Sequence, residues 1–145
     1  MKAAVLYEPN TPLVIEELEI AEPASGEVLV KMMASGVCHS DWHVVKGEWY
    51  DVPLPSVRGH EGAGIIEAAG PEATNVKPGD HVLLSWMPSC GLCEMCQKGW
   101  PAVCDRPPRG STKAKVRSSG KEINLLGGLG TFGSYTVVSE AAAVP

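Results

Sequence analysis

Short apolar runs recur along the chain, and each is bounded by glycine, proline, asparagine or aspartate. Runs of this length that are closed by strand-breaking residues are typical of β-strands. The pattern predicts strands over residues 3–7, 13–20, 28–33, 64–69, 81–84 and 135–138. In the second run, Glu17 and Glu19 alternate with Leu18 and Ile20, which predicts one face towards water. We therefore expect a mainly β fold, a partly open barrel with long excursions.

Helical signals are few. One short helix is predicted after Cys38, with Ser40 or Asp41 as its cap and its end near Lys46. Residues 110–122 are polar and are expected to form a mobile loop. The 16 glycines and 12 prolines fit a chain of short strands and many turns. At 145 residues the chain is expected to form one domain.

Charge excludes one class of partner. The formal net charge is −5, and the basic residues are scattered except for a group within residues 106–121. Nucleic-acid binding depends on clustered lysine and arginine, so we expect no nucleic-acid partner and interpret this group as a solvated loop.

The compartment is inferred from the N-terminus and the thiols. The first apolar run has only five residues before Glu8 and Pro9, too short for a signal peptide or a membrane span, so a cytoplasmic protein without a membrane partner is expected. In a reducing compartment, clustered thiols favour metal over disulfides. Five cysteines divide naturally into a cluster of four and a separate Cys38.

The cluster follows the spacing C-x2-C-x2-C-x7-C and consists of Cys90, Cys93, Cys96 and Cys104. Four thiolates at such spacing close around one tetrahedral Zn²⁺ and leave no position for substrate. The pattern predicts a structural zinc site within a lobe at about residues 88–106.

A second set of chemically active residues lies upstream. Residues 36–43 read Gly-Val-Cys-His-Ser-Asp-Trp-His, and residues 59–64 read Gly-His-Glu-Gly-Ala-Gly. Taken singly, Cys38 could be a small buried apolar residue and His60 a core histidine. A hydroxyl, an acid and a second histidine within five residues of Cys38 favour a metal site instead.

These motifs occur in a specific order. Together with Pro78-Gly79-Asp80, the four-cysteine lobe and the run Gly130-Thr-Phe-Gly-Ser-Tyr135, they resemble the zinc-dependent medium-chain alcohol dehydrogenases. The resemblance covers nearly the whole chain and corresponds to the N-terminal GroES-like catalytic domain of that family. It implies that residues 1–145 form a single GroES-like domain, a partly open β-barrel with short helices and a zinc-binding lobe.

The resemblance also implies roles for particular residues. Cys38 and His60 would bind the catalytic zinc, and Asp41 would hydrogen-bond the free ring nitrogen of His60. Ser40 would hold the alcohol and, with His43 and a cofactor ribose hydroxyl, pass its proton to solvent. Hydride would then move between a zinc-bound alkoxide and NAD or NADP, giving an aldehyde or ketone.

Three further assignments, those of His39, Glu61 and Trp86, have plain alternatives. His39 corresponds to a contact with the cofactor pyrophosphate, or is a surface imidazole. Glu61 could transiently coordinate zinc, or pair with a nearby base. Trp86 corresponds to a wall of the substrate pocket, or anchors the core or the lobe. The aromatic residues Trp42, Trp49 and Tyr50 could rim the same pocket and have no assigned role.

Part of the family pattern is absent from the sequence. A third catalytic-zinc ligand and a Rossmann cofactor domain follow in relatives, so we expect no productive nicotinamide binding or hydride transfer by this chain alone. Residues 128–133 satisfy G-x-G-x-x-G, but a β-branched run follows, so we reject them as a cofactor site. The complete enzyme is expected to be a homo-oligomer. The alternative function is a free-standing zinc-binding domain with a structural or interaction role.

Overall fold

The computed structural model describes residues 1–49 and 51–145; Tyr50 lies outside the described residues. The strands are β1 Lys2–Leu6, β2 Val14–Glu19, β3 Glu27–Gly36, β4 Ser56–Val57, β5 Glu61–Ala69, β6 His81–Leu84, β7 Lys113–Val116, β8 Glu122–Leu125, β9 Tyr135–Ser139 and β10 Ala143–Val144. The helices are α1 His39–Val45 and α2 Glu94–Gln97, with short 3-10 turns at Pro101–Val103, Leu126–Gly128 and Glu140–Ala142.

The strands form two units. Five close into a small barrel in the order β1-β2-β7-β8-β4, and the other five form a sheet in the order β10-β6-β5-β3-β9. Each unit has its own apolar core: Val5, Leu18 and Ile123 are buried in the barrel, whereas Val30 and Ile66 are buried under the sheet. The expected mainly β, barrel-type fold is confirmed.

Several local predictions were wrong. Residues 110–122, predicted as a loop, include β7, which pairs with β8 in an antiparallel hairpin. The short strands β4, β8 and β10 were not predicted either, and in the described part of the chain α2 adds a second α-helix to the one expected. The cap of α1 is Cys38 rather than Ser40 or Asp41. Asp41 lies in the first turn, where its carboxylate accepts a hydrogen bond from the Cys38 N–H at 3.3 Å.

Strand register brings the upstream motifs together. β3 and β5 are antiparallel, with Gly36 opposite Glu61, so residue 38 beyond the end of β3 lies beside residues 59–60 before β5. β5 and β6 pair Gly62 with Leu84, and the same register continued by two residues sets His60 opposite Trp86. One end of the sheet thus gathers three segments that are distant in sequence.

The glycine before His60 is required by this packing. Gly59 has φ +92°, a conformation that other residues rarely adopt, and an added Cβ would overlap the Thr131 hydroxyl and the Phe132 ring.

None of the described helices is long and apolar enough to cross a bilayer.

Candidate metal centres

The four cysteines of the lobe converge. The Sγ atoms of Cys90, Cys93, Cys96 and Cys104 all lie within 4.8 Å of one another. The Cys93 and Cys104 sulfurs are 3.8 Å apart. Four sulfurs placed tetrahedrally about 2.3 Å from a Zn²⁺ ion are separated by about 3.8 Å. The donor type and spacing therefore fit a closed zinc site.

Backbone amides already point at these sulfurs. The Sγ atom of Cys90 accepts from the N–H groups of Leu92 and Cys93 at 3.4 and 3.3 Å. These bonds lower the pKa of Cys90, and a backbone hydrogen bond from Cys96 is the largest cause that lowers the pKa of Cys93 to about 6. Desolvation raises the pKa of Cys96 to about 12. Amides that stabilise thiolates prepare a turn for metal binding.

A second donor set lies at the end of the sheet. One donor atom each from Cys38, His60 and Glu61 falls within 4.8 Å of the other two. Cys38 and His60 are half-buried, whereas Glu61 is exposed, and its carboxylate lies against Gly36. This set mixes sulfur, nitrogen and oxygen and opens to solvent through Glu61. The structure brings these three predicted residues together.

Asp41 organises the backbone around these donors. It is 2% exposed, and its Oδ1 atom accepts from the Gly59 N–H at 3.1 Å. The same oxygen lies 3.5 Å from Nδ1 of His60, which is long for a hydrogen bond but close enough for electrostatic attraction. With Nδ1 facing a carboxylate, Nε2 is the ring nitrogen that remains free for other partners.

Arg58 is a buried cation that sequence reasoning missed. It is 2% exposed, and its Nε and Nη1 atoms have no hydrogen-bond partner among the described residues. Burial lowers its pKa, and the negative charge of Asp41 acts in the opposite direction. A cation directly before a Gly-His-Glu sequence was the available signal, but burial could not be read from it.

The remaining polar residues lie on α1. His39 and His43 are four residues apart, and their rings meet edge to face at a centroid distance of 4.7 Å. The Nδ1 atom of His43 is 2.5 Å from a Glu48 carboxylate oxygen, and this bond lowers the pKa of Glu48. Ser40 is half-buried in the first turn of the helix. Glu48 had not been identified from the sequence.

The predicted aromatic residues separate into different places. Trp86 lies beside His60, with ring centroids 5.5 Å apart, and Trp49 stacks on His43 at 5.9 Å. Trp42 instead lines a groove of about 550 Å³ that also contains Leu13. Trp86 thus lies next to the second donor set and Trp49 next to His43, whereas the groove lined by Trp42 includes neither His60 nor Trp86.

The structure thus places two groups of metal-binding side chains in one small β domain, a closed cluster of four thiols and a separate, more open Cys-His-Glu set. The chain belongs to the alcohol dehydrogenase GroES-like domain family, whose profile matches residues 24–145. It is 43% identical over 152 aligned residues to an NDMA-dependent alcohol dehydrogenase of Amycolatopsis methanolica, and the match covers 99% of this chain and 40% of that protein.

Solved structures agree with this assignment. An alcohol dehydrogenase zinc-binding domain protein from Burkholderia ambifaria superposes with a TM-score of 0.86 at 35% identity, over 98% of this chain and 40% of its own. Benzyl alcohol dehydrogenase from Acinetobacter calcoaceticus gives a TM-score of 0.81 at 38% identity, over 99% and 40%. The chain therefore spans about 40% of the length of these relatives.

Proposed function

We propose that residues 1–145 form the catalytic domain of a zinc-dependent alcohol dehydrogenase that interconverts an alcohol and an aldehyde or ketone with NAD or NADP. The observation that carries the proposal is the convergence of Cys38, His60 and Glu61 donor atoms within 4.8 Å. A closed structural site has no need of an exposed carboxylate or of an aromatic wall next to it. Both features suit a site that exchanges small molecules.

The two donor sets fit two zinc ions with different duties. Cys90, Cys93, Cys96 and Cys104 would hold a structural ion, since all four positions are filled by sulfur. Cys38 and His60 would hold the second ion, with Glu61 within reach as an exchangeable oxygen ligand. Zinc bound there supplies a Lewis acid that lowers the pKa of an alcohol hydroxyl.

Asp41 would orient His60 in this site. Backbone N–H groups from Cys38 and Gly59 hold its two carboxylate oxygens, so the side chain cannot turn away from Nδ1 of His60. A carboxylate at Nδ1 favours the tautomer with the proton on Nδ1 and leaves the Nε2 lone pair for a metal. The proposed ligand is thus aligned before any metal binds.

Ser40 and His43 would carry the proton released from the alcohol. They are three residues apart on α1, so their side chains project from neighbouring positions on the helix. Glu48 holds Nδ1 of His43, and both side chains reach solvent, with 38% and 48% exposure. The path from Ser40 through His43 would therefore end at an imidazole whose side chain is 38% exposed.

Trp86 and His39 suggest what the site accepts. The indole beside His60 offers an apolar surface suited to an aromatic or aliphatic alcohol. The relative named benzyl alcohol dehydrogenase supports an aromatic primary alcohol as the first substrate to test. His39 is exposed on α1. There it would contact a phosphate of the cofactor, whose main binding site would lie in the part of the relatives that residues 1–145 do not match.

Metal content tests the proposal directly. We expect two zinc ions per purified chain, and one ion in each of the variants Cys38→Ser and Cys93→Ser. Each variant removes one ligand from a single site, so each serves as the control for the other. One ion in a chain extended to the full length of the relatives, unchanged in Cys38→Ser, would favour a purely structural zinc domain and refute the catalytic assignment.

Activity provides a second test. A chain extended to the full length of the relatives should oxidise benzyl alcohol with NAD or NADP, whereas residues 1–145 alone should not. Ser40→Ala in the extended chain should lower kcat by about 10² or more, because proton transfer by a positioned side chain contributes about that factor. Turnover by residues 1–145 alone would contradict the expected need for a cofactor domain, and an unimpaired Ser40→Ala enzyme would contradict the proposed proton path.

A further inference from the structure

The indole of Trp86 is held from outside the site. Arg109, on the segment that follows the lobe, donates from Nη1 to the Trp86 carbonyl at 3.0 Å and to the Gly127 carbonyl at 3.3 Å. Its guanidinium carbon lies 4.9 Å from the centre of the Trp86 ring. One side chain therefore contacts both the backbone and the ring of the same tryptophan.

Gly127 also packs closely against the ring. A Cβ added there would lie 2.5 and 2.6 Å from two carbons of the Trp86 six-membered ring and 3.2 Å from Nη1 of Arg109. Its φ of +54° is also a conformation that favours glycine. The ring occupies the space that any side chain at this position would need.

This support matters because Trp86 follows the end of β6. Trp86 is 37% exposed and lies beyond the last paired residue of the strand, Leu84, so strand pairing does not fix the orientation of its ring. Its contact with His60, at 5.5 Å between ring centroids, depends on the neighbours that hold it.

We propose that Arg109 and Gly127 are positioning residues that hold Trp86 as a rigid wall beside the His60 site and thereby select apolar, preferably aromatic, alcohols. The proposal rests on the proposed function for its substrate and on geometry alone for the ring placement. A fixed indole ring increases the affinity for a flat substituent that stacks on it, whereas a small alcohol contacts little of the ring and gains little affinity.

The first experiment measures ring placement in residues 1–145 without any activity. The ring current of Trp86 shifts the carbon-bound protons of His60, which NMR resolves in a histidine-labelled, zinc-loaded chain. Arg109→Met and Gly127→Ala should each change these shifts. Arg106→Met, an exposed arginine on the same segment, and Gly120→Ala, with φ +70° and nothing within 4 Å of its added Cβ, should not.

The second experiment measures substrate choice in the extended enzyme. Arg109→Met and Gly127→Ala should raise the KM for benzyl alcohol about tenfold and change that for ethanol less than twofold, because only the larger alcohol uses the wall. Arg109→Lys, which keeps the charge but loses the planar fork, should lie between wild type and Arg109→Met. Arg106→Met and Gly120→Ala should match wild type.

The outcomes separate the two ideas. Unchanged chemical shifts of His60 in a folded Arg109→Met variant would overturn the proposal that Arg109 positions the Trp86 ring. An unchanged ratio of the KM for benzyl alcohol to the KM for ethanol in that variant would overturn it as well. If Arg109→Met does not fold, Arg109→Lys and Gly127→Ala decide by the same readouts. A wild-type enzyme that oxidises no alcohol would refute the proposed function, and the NMR result would then decide the ring placement independently.

Discussion

Replacing Asp41 by asparagine tests whether this buried carboxylate holds the second donor set together. Asparagine keeps the shape and one acceptor oxygen. Its NH₂ group cannot accept a hydrogen bond, yet it must face one of the two N–H groups that donate to the carboxylate. Those partners are the N–H groups of Cys38 at 3.3 Å and Gly59 at 3.1 Å. One buried donor is left unpaired, which costs about 1–3 kcal/mol.

A second cost comes from Arg58. Its guanidinium is buried, and the negative charge of Asp41 stabilises it. Removing one partner of a directly paired buried ion pair costs about 3–5 kcal/mol. Because no Arg58 nitrogen forms an ion pair with Asp41 within 4.0 Å in the described structure, we assign about 1–2 kcal/mol to this term. The expected total is about 2–5 kcal/mol, a large share of the about 5–15 kcal/mol that stabilises a typical protein.

The assay is urea denaturation of the chain with metal removed, followed by zinc affinity in competition with a chelator. Asp41→Asn should lower the free energy of unfolding by that amount and weaken zinc at the second site about 10–100-fold. Asp51→Asn, an exposed acid, should change stability by less than about 0.5 kcal/mol. An Asp41→Asn chain as stable as the Asp51→Asn control would refute this account of the site.

Three further predictions concern other parts of the chain. Cys93→Ser should remove the lobe's zinc and destabilise the zinc-loaded protein by several kcal/mol, since structural zinc binding is worth about 10–16 kcal/mol in small peptides; unchanged thermal stability and zinc content would contradict it. Lys77 lowers the pKa of Asp80 through side-chain and backbone hydrogen bonds, so this contribution to stability is present above the unfolded pKa near 4 and is lost as pH falls through the folded value. Asp80→Asn should therefore flatten the acid limb of stability against pH, and a curve identical to wild type would count against it. Gly59→Ala should destabilise by about 2–4 kcal/mol more than Gly79→Ala, because both glycines have φ +92° but only the first added Cβ meets other atoms; equal losses in urea denaturation would show that packing there is unimportant.

The sequence was most informative where a short apolar run is closed by turn-forming residues. β6 has the predicted bounds of residues 81–84, and its residues alternate between exposed and buried. The same alternation is present in Lys113–Val116, where Ala114 and Val116 are buried, but the lysines between them made the segment resemble a loop. β4 and β10 have two residues each, too few to show any period.

The candidate site divides in a similar way. The types and order of Cys38, His60 and the four lobe cysteines were readable from the sequence, because metal ligands are restricted to a few side chains. Their proximity was not, since it depends on the registers of β3, β5 and β6. Glu48 was missed because it follows the helix that carries its partner His43. Nothing in the sequence shows that the chain turns back there and brings the two side chains together.

The sequence alone determined a mainly β chain and the chemical groups that are available. These groups are four thiolates at a spacing suited to zinc and a separate pair of metal-binding side chains, Cys38 and His60. Tertiary structure decided which groups act on one another. It buried Arg58 near Asp41 and placed Arg109 against Trp86, 23 residues away in sequence. The reason is physical: ligand identity is a property of single residues, whereas burial, charge pairing and ring placement depend on distances that only the packed sheet and barrel establish.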